Sequence, residues 1–170
     1  MVKKDLAFIG GLFLVLGALL VFGGSFTSLG LVSRKGLTNS ATKSAVPSGM
    51  WKVKIKTLDI SATVASNSND QKKGLSKRAS LPLNEGMIFV FDQSGSYPFW
   101  MKDMKFAIDI IWLDEQKKVV DIASDVPAQP GKSERDLIVY KPKDNSKYVL
   151  EVNAGLSALN NIQVGDPAEF

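Results

Sequence analysis

From residue 51 onward, apolar residues first alternate with charged ones and then form continuous runs. Residues 51–56 (WKVKIK) alternate strictly between apolar and lysine positions, which predicts a strand with one face in solvent. Contact of these lysines with anionic lipid is the alternative interpretation. Residues 60–65 are expected to pair with this strand as a hairpin. Met87 to Phe91 (MIFVF) is wholly apolar, as is typical of a strand covered on both faces.

Strand and helix patterns continue along the rest of the chain. Further strands are predicted at residues 106–113, 119–123, 137–140 and 148–152. Polar cap residues at 68–70 precede a short helix that Gly74 interrupts, and residues 154–159 predict one more helical turn. The pattern therefore indicates a mainly β fold of the α+β class. We expect a small barrel-like or strongly twisted mixed sheet with one or two short helices.

An apolar segment at the N-terminus predicts a membrane anchor. After a charged head at residues 1–5, Leu6 to Gly24 (LAFIGGLFLVLGALLVFGG) is long enough to cross a bilayer as a helix. A cleaved signal peptide is the alternative. Residues 25–50 are predicted to be a flexible linker and residues 51–170 a single domain. We expect a single-pass cell-membrane protein whose domain lies outside the cytoplasm, although basic residues on both sides of the span weaken the orientation signal.

The charge distribution argues against nucleic acid as a partner. The chain has a net charge of +4 from 21 basic and 17 acidic residues. Four of the basic residues and one acidic residue precede Leu37, which leaves 17 basic and 16 acidic residues in the remainder. A nearly neutral domain is a poor match for a phosphate backbone, so no nucleic-acid partner is predicted.

The chain contains no cysteine and no histidine. Disulfides, thiolate nucleophiles, imidazole-based zinc sites and Ser-His-Asp catalysis are therefore unavailable to a single chain. Any chemistry must use carboxylates, amines, hydroxyls or a hard metal ion. We predict no cofactor, no metal site and no recognisable catalytic set.

One carboxylate, Asp109, interrupts the apolar strand at residues 106–113. An ionised side chain in such a strand must find a partner or become neutral. Arg78 or Lys102 is the expected partner, since a guanidinium or an ammonium can pair with a carboxylate. A buried pair of this kind is either architectural or part of a binding site.

Other candidate binding residues lie around the aromatic turn at residues 97–101. Trp100 and its neighbours could form an apolar pocket wall or close one end of a small barrel, and Lys102 and Asp103 follow directly. Glu151 alternates with Leu150 and Val152, so it should face away from them, either into a pocket or into water. The candidate ligand-binding residues are Arg78, Trp100, Lys102, Asp103, Asp109 and Glu151.

Three blocks of sequence resemble one known family. They are GLSKRASLPLNEGMIFVF (residues 74–91), FWMKDMKFAIDIIWLDEQKKVVDI (residues 99–122) and KYVLEVNAGLSALNNIQVGD (residues 147–166). In this order they are similar to the domain of unknown function 192 (DUF192) family over about residues 51–170. The resemblance implies a compact, mostly β fold without an assigned activity, often secreted or tethered to a membrane.

Two functional hypotheses of different classes follow. The first is a non-enzymatic, membrane-tethered module that binds a small ligand or an envelope protein. The second is a hydrolase that acts on an envelope sugar or related polymer with two carboxylates, Asp103 or Asp109 together with Glu151. The two carboxylates of such an enzyme must share one open cleft, so the position of Asp109 distinguishes the hypotheses.

Overall fold

The computed structural model describes residues 49–170, and every element below lies in that range. The predicted head and membrane helix, and all but the end of the predicted linker, lie outside the described residues. Within residues 49–170, no helix combines the length and the apolar character that crossing a bilayer requires.

The described part of the chain is mainly β, with a sheet curled into a half-barrel and two short helices. The strands are β1 (Met50–Ile55), β2 (Leu58–Ala65), β3 (Glu85–Gly95), β4 (Phe99–Trp100), β5 (Ile108–Leu113), β6 (Val119–Val126), β7 (Val139–Tyr140), β8 (Ser146–Asn153) and β9 (Ala168–Glu169). The helices are α1 (Ser68–Lys73) and α2 (Leu156–Leu159), and Glu134–Asp136 forms a 3₁₀ turn.

Seven strands form one mixed sheet in the order β6-β5-β8-β3-β2-β1-β9. The predicted hairpin β1/β2 is confirmed, and the strands β5 and β6 form a second antiparallel hairpin. Strands β2 and β3 run parallel, and α1 lies in the crossover between them, because parallel neighbours cannot be joined by a tight turn. Strands β4 and β7 pair separately as a small second sheet. This sheet brings the aromatic turn at residues 97–101 beside the loop that precedes β7.

Apolar residues cover both faces of the central strands β3, β8 and β5. One layer contains Leu150 and Val152 of β8 together with residues of β1, β2, β3 and β5. The opposite layer contains Val149 of the same strand, Met87 and Phe89 of β3, and residues from the segment before β5. Strand β8 lies between β5 and β3, and its central residues 149–152 are buried on both sides of the sheet. A polar residue in this central part of β8 therefore has no solvated face available to it.

Strand β3 is longer than the apolar run MIFVF predicts. Residues 92–95, which are polar or glycine, also belong to the strand, since β3 continues to Gly95 and pairs there with Ser146 after a register shift. The ring of Phe91 stacks on that of Tyr97, with 3.5 Å between centroids, and this contact supports the extension. The extension carries the chain to the edge of the cleft described below.

Candidate functional site

A cleft of about 630 Å³ opens beside the apolar layer that contains Phe89. Its walls come from three parts of the fold: α1 with the turn that follows it, the end of β3, and the segment from Tyr97 to Met104. Glu151 on β8 completes the lining. The sequence places these contributions far apart, and the parallel β2/β3 crossover brings them together.

Glu151 lies in the middle of the sheet, opposite Met87 on β3 and Ile110 on β5. Both of these neighbours belong to the apolar layer behind the cleft. Only 6% of Glu151 is exposed, and its Oε2 atom has no hydrogen-bond partner among residues 49–170. Burial raises the pKa of this carboxyl to about 8. At neutral pH the side chain is therefore mostly a neutral acid, with one donor and free acceptor capacity.

Two glycines allow the backbone to approach Glu151 closely. A Cβ atom on Gly86 would lie 2.7 Å from the carbonyl oxygen of Glu151, so only glycine fits where β3 passes β8 here. Gly74 ends α1 with a positive φ of 47°, and a Cβ atom there would lie 4.0 Å from Glu151 Oε2. The glycine that interrupts the predicted helix thus brings the turn after α1 over the glutamate.

Aromatic rings form the walls of the cleft. Phe99 meets Phe89 edge to face, with 4.9 Å between ring centroids, and the stacked Phe91 and Tyr97 extend the wall. Trp100 is 52% exposed although it lines the same cleft. Of the two interpretations of this aromatic turn, residues 97–100 fit the pocket wall because they line the cleft, while Met101 is buried in the core. Flat or apolar groups are the natural occupants of such walls.

Lysines surround this aromatic cleft. Lys72, Lys73 and Lys77 line it from α1 and the following turn, and none of them forms an ion pair with another residue of the 49–170 range. Lys102 lines the opposite side and pairs with Glu134, and the hydrogen bond between them raises the pKa of Lys102. Asp103, with a positive φ of 57°, is the acidic residue on this rim. The rim is therefore strongly basic.

Asp109 is fully buried, as predicted, but its partners are not cations. Its Oδ1 atom accepts hydrogen bonds from the backbone N–H groups of Asp125 (2.8 Å) and Gly155 (3.0 Å). Its Oδ2 atom accepts from the backbone N–H (2.8 Å) and the hydroxyl (2.6 Å) of Ser157. The predicted ion pair with Arg78 or Lys102 is therefore wrong. Four hydrogen bonds compensate this carboxylate for the loss of water, and they join β5 to the end of β6 and to α2.

Asp109 and Glu151 cannot share a cleft. Asp109 pairs in register with Val152 and Ile110 with Glu151, so alternation along β5 and β8 directs the two carboxylates to opposite faces of the sheet. Arg78 also lies outside the cleft lining, because its guanidinium bonds to Glu85 Oε2 (3.0 Å) and to Thr63 Oγ1 (3.1 Å). These contacts fasten the turn after α1 to β2 and β3.

Four of the six predicted site residues line the cleft together: Trp100, Lys102, Asp103 and Glu151. The sequence pattern does not mark Lys72, Lys73 and Lys77 as candidate binding residues. It places them only in the predicted short helix and the turn around Gly74. Their clustering around Gly74 in the string QKKGLSK was the available signal. Of the two alternatives for Glu151, a pocket and open water, the structure confirms the pocket.

Comparison with known proteins gives the family of this chain. The model of the family DUF192, described as "Uncharacterized ACR", matches residues 51–170. The chain belongs to the DUF192 family. The resemblance noted from the three sequence blocks is thereby confirmed.

Two solved structures share the fold of this DUF192 domain. A protein of unknown function from Novosphingobium aromaticivorans DSM 12444 is 27% identical, with a TM-score of 0.65 over 79% of this chain and 100% of that chain. A protein of Sinorhizobium meliloti 1021, provisionally described as a transcription regulator, is 22% identical, with a TM-score of 0.64 over 74% of this chain and 96% of that chain. The second likeness shows the fold alone.

Two curated relatives match shorter stretches. A UPF0127 protein of Pyrococcus abyssi (strain GE5 / Orsay) is 36% identical over 64 residues, which are 38% of this chain and 47% of the relative. A UPF0127 protein of Thermococcus gammatolerans is 31% identical over 86 residues, which are 49% of this chain and 50% of the relative. The matched stretches span about half the length of these relatives. The family and its relatives are uncharacterised, so any function of the cleft must be argued from its residues.

Proposed function

We propose that this DUF192 domain is a non-enzymatic binding module that holds a small ligand in the aromatic cleft. The observation that carries the proposal is Glu151, a nearly buried carboxyl group that lines the cleft and whose Oε2 atom has no hydrogen-bond partner among the described residues. Buried polar atoms in folded proteins are almost always hydrogen-bonded, so an unpaired one calls for an explanation. A ligand atom that bonds to Glu151 provides one.

The rest of the cleft supports this proposal. Ligand sites are typically concave and mostly apolar, with a few polar groups that orient the bound molecule. Here Phe89 and Phe99 provide the apolar surface, Glu151 the polar group at the base, and lysines the charged rim. A titratable group with a strongly shifted pKa inside such a cleft is a further mark of a functional site.

A thermal-shift screen of the full 170-residue chain tests the proposal. The screen covers sugars, nucleotides, small organic acids and divalent metal ions. A ligand that binds only the native state at a concentration 100 times its Kd stabilises the protein by about 2.7 kcal/mol. We expect at least one class of small molecule to raise Tm by several degrees.

Trp100→Ala provides the matched variant for this screen. Trp100 is half exposed in the cleft wall, so its removal should weaken the ligand-induced rise in Tm with little effect on the unliganded protein. Val139 pairs with Trp100 across β4 and β7 and is similarly exposed, but it lies outside the cleft lining. Val139→Ala should keep the full ligand effect. Equal loss in both variants, or no ligand from any class, would contradict a binding site in the cleft.

A hydrolase remains the second candidate because two carboxyl groups line the same cleft. Glu151 carries a proton at neutral pH, as the general acid of a glycosidase must, and Asp103 is the second carboxyl group in the cleft lining. The version that uses Asp109 is excluded, since this residue is sealed on the other face of the sheet. Incubation with each ligand from the screen separates the two candidates. Release of product that both Glu151→Gln and Asp103→Asn abolish favours the hydrolase, and binding without turnover favours the module.

We also propose that an N-terminal helix anchors the chain in the membrane and that the domain lies outside the cytoplasm. This anchor is supported by the apolar segment Leu6 to Gly24 and by the Ser- and Thr-rich residues that follow it. Alkaline carbonate extraction of membranes from cells that express the full chain tests this tether. We expect the protein to stay in the membrane pellet, and its complete release into the supernatant would contradict a retained anchor.

A further inference from the structure

Three features of the cleft together restrict the chemistry of its ligand. The unpaired Oε2 of Glu151 lies at the base, the aromatic walls rise beside it, and the lysines stand at the rim. Each feature selects a different part of a molecule. The inference that follows rests on the proposed function, because it assumes that the cleft binds a ligand.

The base selects a hydrogen-bonding group without a negative charge. A carboxylate of the ligand at this depth would be a charge buried in an apolar layer, which is costly. A neutral acceptor, such as a carbonyl oxygen or a ring nitrogen, can instead accept a hydrogen bond from the O–H group of the Glu151 carboxylic acid. The end of the ligand that reaches the base is therefore a neutral acceptor.

The walls select a flat, apolar body. The rings of Phe89 and Phe99 are perpendicular, with an interplanar angle of 88°, and the exposed face of Trp100 lies on the same cleft. An aromatic group can lie against one such ring and meet the edge of another. A fully hydroxylated chain would leave these surfaces without an apolar partner.

The rim selects an anion. Four lysines line the cleft, whereas Asp103 is the exposed acidic residue of the lining. Lys72, Lys73 and Lys77 have no acidic partner in the described range, and so their ammonium groups are available to a ligand. A carboxylate or phosphate near several ammonium groups gains from charge-assisted hydrogen bonds.

We propose that the cleft binds a small aromatic anion, with its carboxylate or phosphate at Lys72, Lys73 and Lys77, its ring between the aromatic walls, and a neutral acceptor at Glu151. The distance from rim to base then separates the anion from the acceptor, so the two groups lie at opposite ends of the ring. An aryl phosphate or an aryl carboxylate with a carbonyl group in the para position has this arrangement.

The test measures four defined probes by isothermal titration calorimetry with the full chain. The probe 4-acetylphenyl phosphate carries all three features, and 4-acetylbenzoate replaces its phosphate by a carboxylate. Acetophenone lacks the anion, and inorganic phosphate lacks the ring. We expect one of the two complete probes to bind at least tenfold more tightly than acetophenone and than inorganic phosphate. The ratio of the Kd values of the two complete probes shows whether the rim prefers a phosphate or a carboxylate.

Variants then assign each feature to its residues. We expect the triple variant Lys72→Ala, Lys73→Ala, Lys77→Ala to weaken binding of the better complete probe at least tenfold. The matched triple variant Lys54→Ala, Lys132→Ala, Lys141→Ala removes the same charge from exposed positions outside the cleft and should change affinity less than twofold. Glu151→Leu should weaken the complete probe about fivefold or more, whereas Glu151→Gln, whose amide still donates, should weaken it less.

The outcomes distinguish this inference from the proposed function. If acetophenone binds as tightly as the complete probes and the lysine variants change nothing, the cleft binds ligands but the anionic class is wrong. If both triple variants weaken binding equally, net charge rather than the rim attracts the probes, and the inference is overturned. If neither these probes nor any member of the thermal-shift screen binds, both the inference and the proposed function fail.

Discussion

Asp109→Ala should lower the free energy of unfolding by about 4 kcal/mol or more, because it leaves several buried or partly buried donors without an acceptor. The backbone N–H groups of Asp125, Gly155 and Ser157 all bond to this one carboxylate. Each unsatisfied buried donor costs about 1–3 kcal/mol, and domains of this size are stable by about 5–15 kcal/mol. The corresponding fall in Tm is on the order of 15 °C. Chemical denaturation followed by circular dichroism measures the change.

Two further variants show whether hydrogen bonding is the cause. Asp109→Asn keeps the shape but turns an N–H₂ group toward donors, so it should also destabilise the domain, although less than alanine does. Ser157→Ala removes the hydroxyl bond to Oδ2 and keeps the backbone bond, and it should cost about 1 kcal/mol. Asp59→Ala is the control, since Asp59 is an exposed strand residue. Equal stability of Asp109→Ala and Asp59→Ala would contradict the structural role of Asp109.

Glu151→Gln should remove a fall in stability that the wild-type protein shows as pH rises. The carboxyl of Glu151 has a pKa of about 8 in the folded protein because it is buried, against an ordinary value of 4.5. Below pH 4.5 both states are protonated and the stabilising contribution is complete. Between about pH 4.5 and 8 the unfolded chain releases its proton while the native state keeps it, so stability declines through this window. The total decline is about 5 kcal/mol.

The comparison is a difference between two curves of unfolding free energy against pH. Glutamine is neutral at every pH, so its curve should be flatter than that of the wild type from pH 5 to 8. Subtraction of the curves cancels the contributions of other titrating groups. One of these is Asp166, whose pKa is lowered by its hydrogen bond with Lys56. Glu169→Gln, at an exposed position on β9, is the matched control and should follow the wild type. Parallel wild-type and Glu151→Gln curves would show that Glu151 titrates like an exposed residue.

Much of the fold is predictable from local pattern. Strands β1 and β8 and the core of β3 follow directly from alternation or from continuous apolar runs. The parallel pairing of β2 with β3 and the small β4/β7 sheet are not predictable in this way, because no short-range signal records which distant strands become neighbours. The cleft depends on both of these pairings.

The two buried carboxylates show why site prediction from sequence is harder. The anomaly of Asp109 is visible in its apolar strand, yet its partners are backbone N–H groups, which leave no mark in the sequence. The alternation around Glu151 correctly separates it from Leu150 and Val152. It does not reveal that Met87 and Ile110 of neighbouring strands make the opposite face apolar as well. Burial of Glu151 is therefore a property of the sheet rather than of its own strand.

At physiological pH, Glu151 is a neutral acid in the cleft, and its Oε2 atom has no hydrogen-bond partner among residues 49–170. Carbon-detected NMR titration of the full chain, with ¹³C-labelled glutamate, follows the side-chain carboxyl carbon directly, and the resonance missing from Glu151→Gln assigns it. We predict a titration midpoint near 8 for this carboxyl. A midpoint near the ordinary glutamate value of 4.5 would mean that Glu151 is ionised in the folded protein, which contradicts both the site and the ligand chemistry inferred from it.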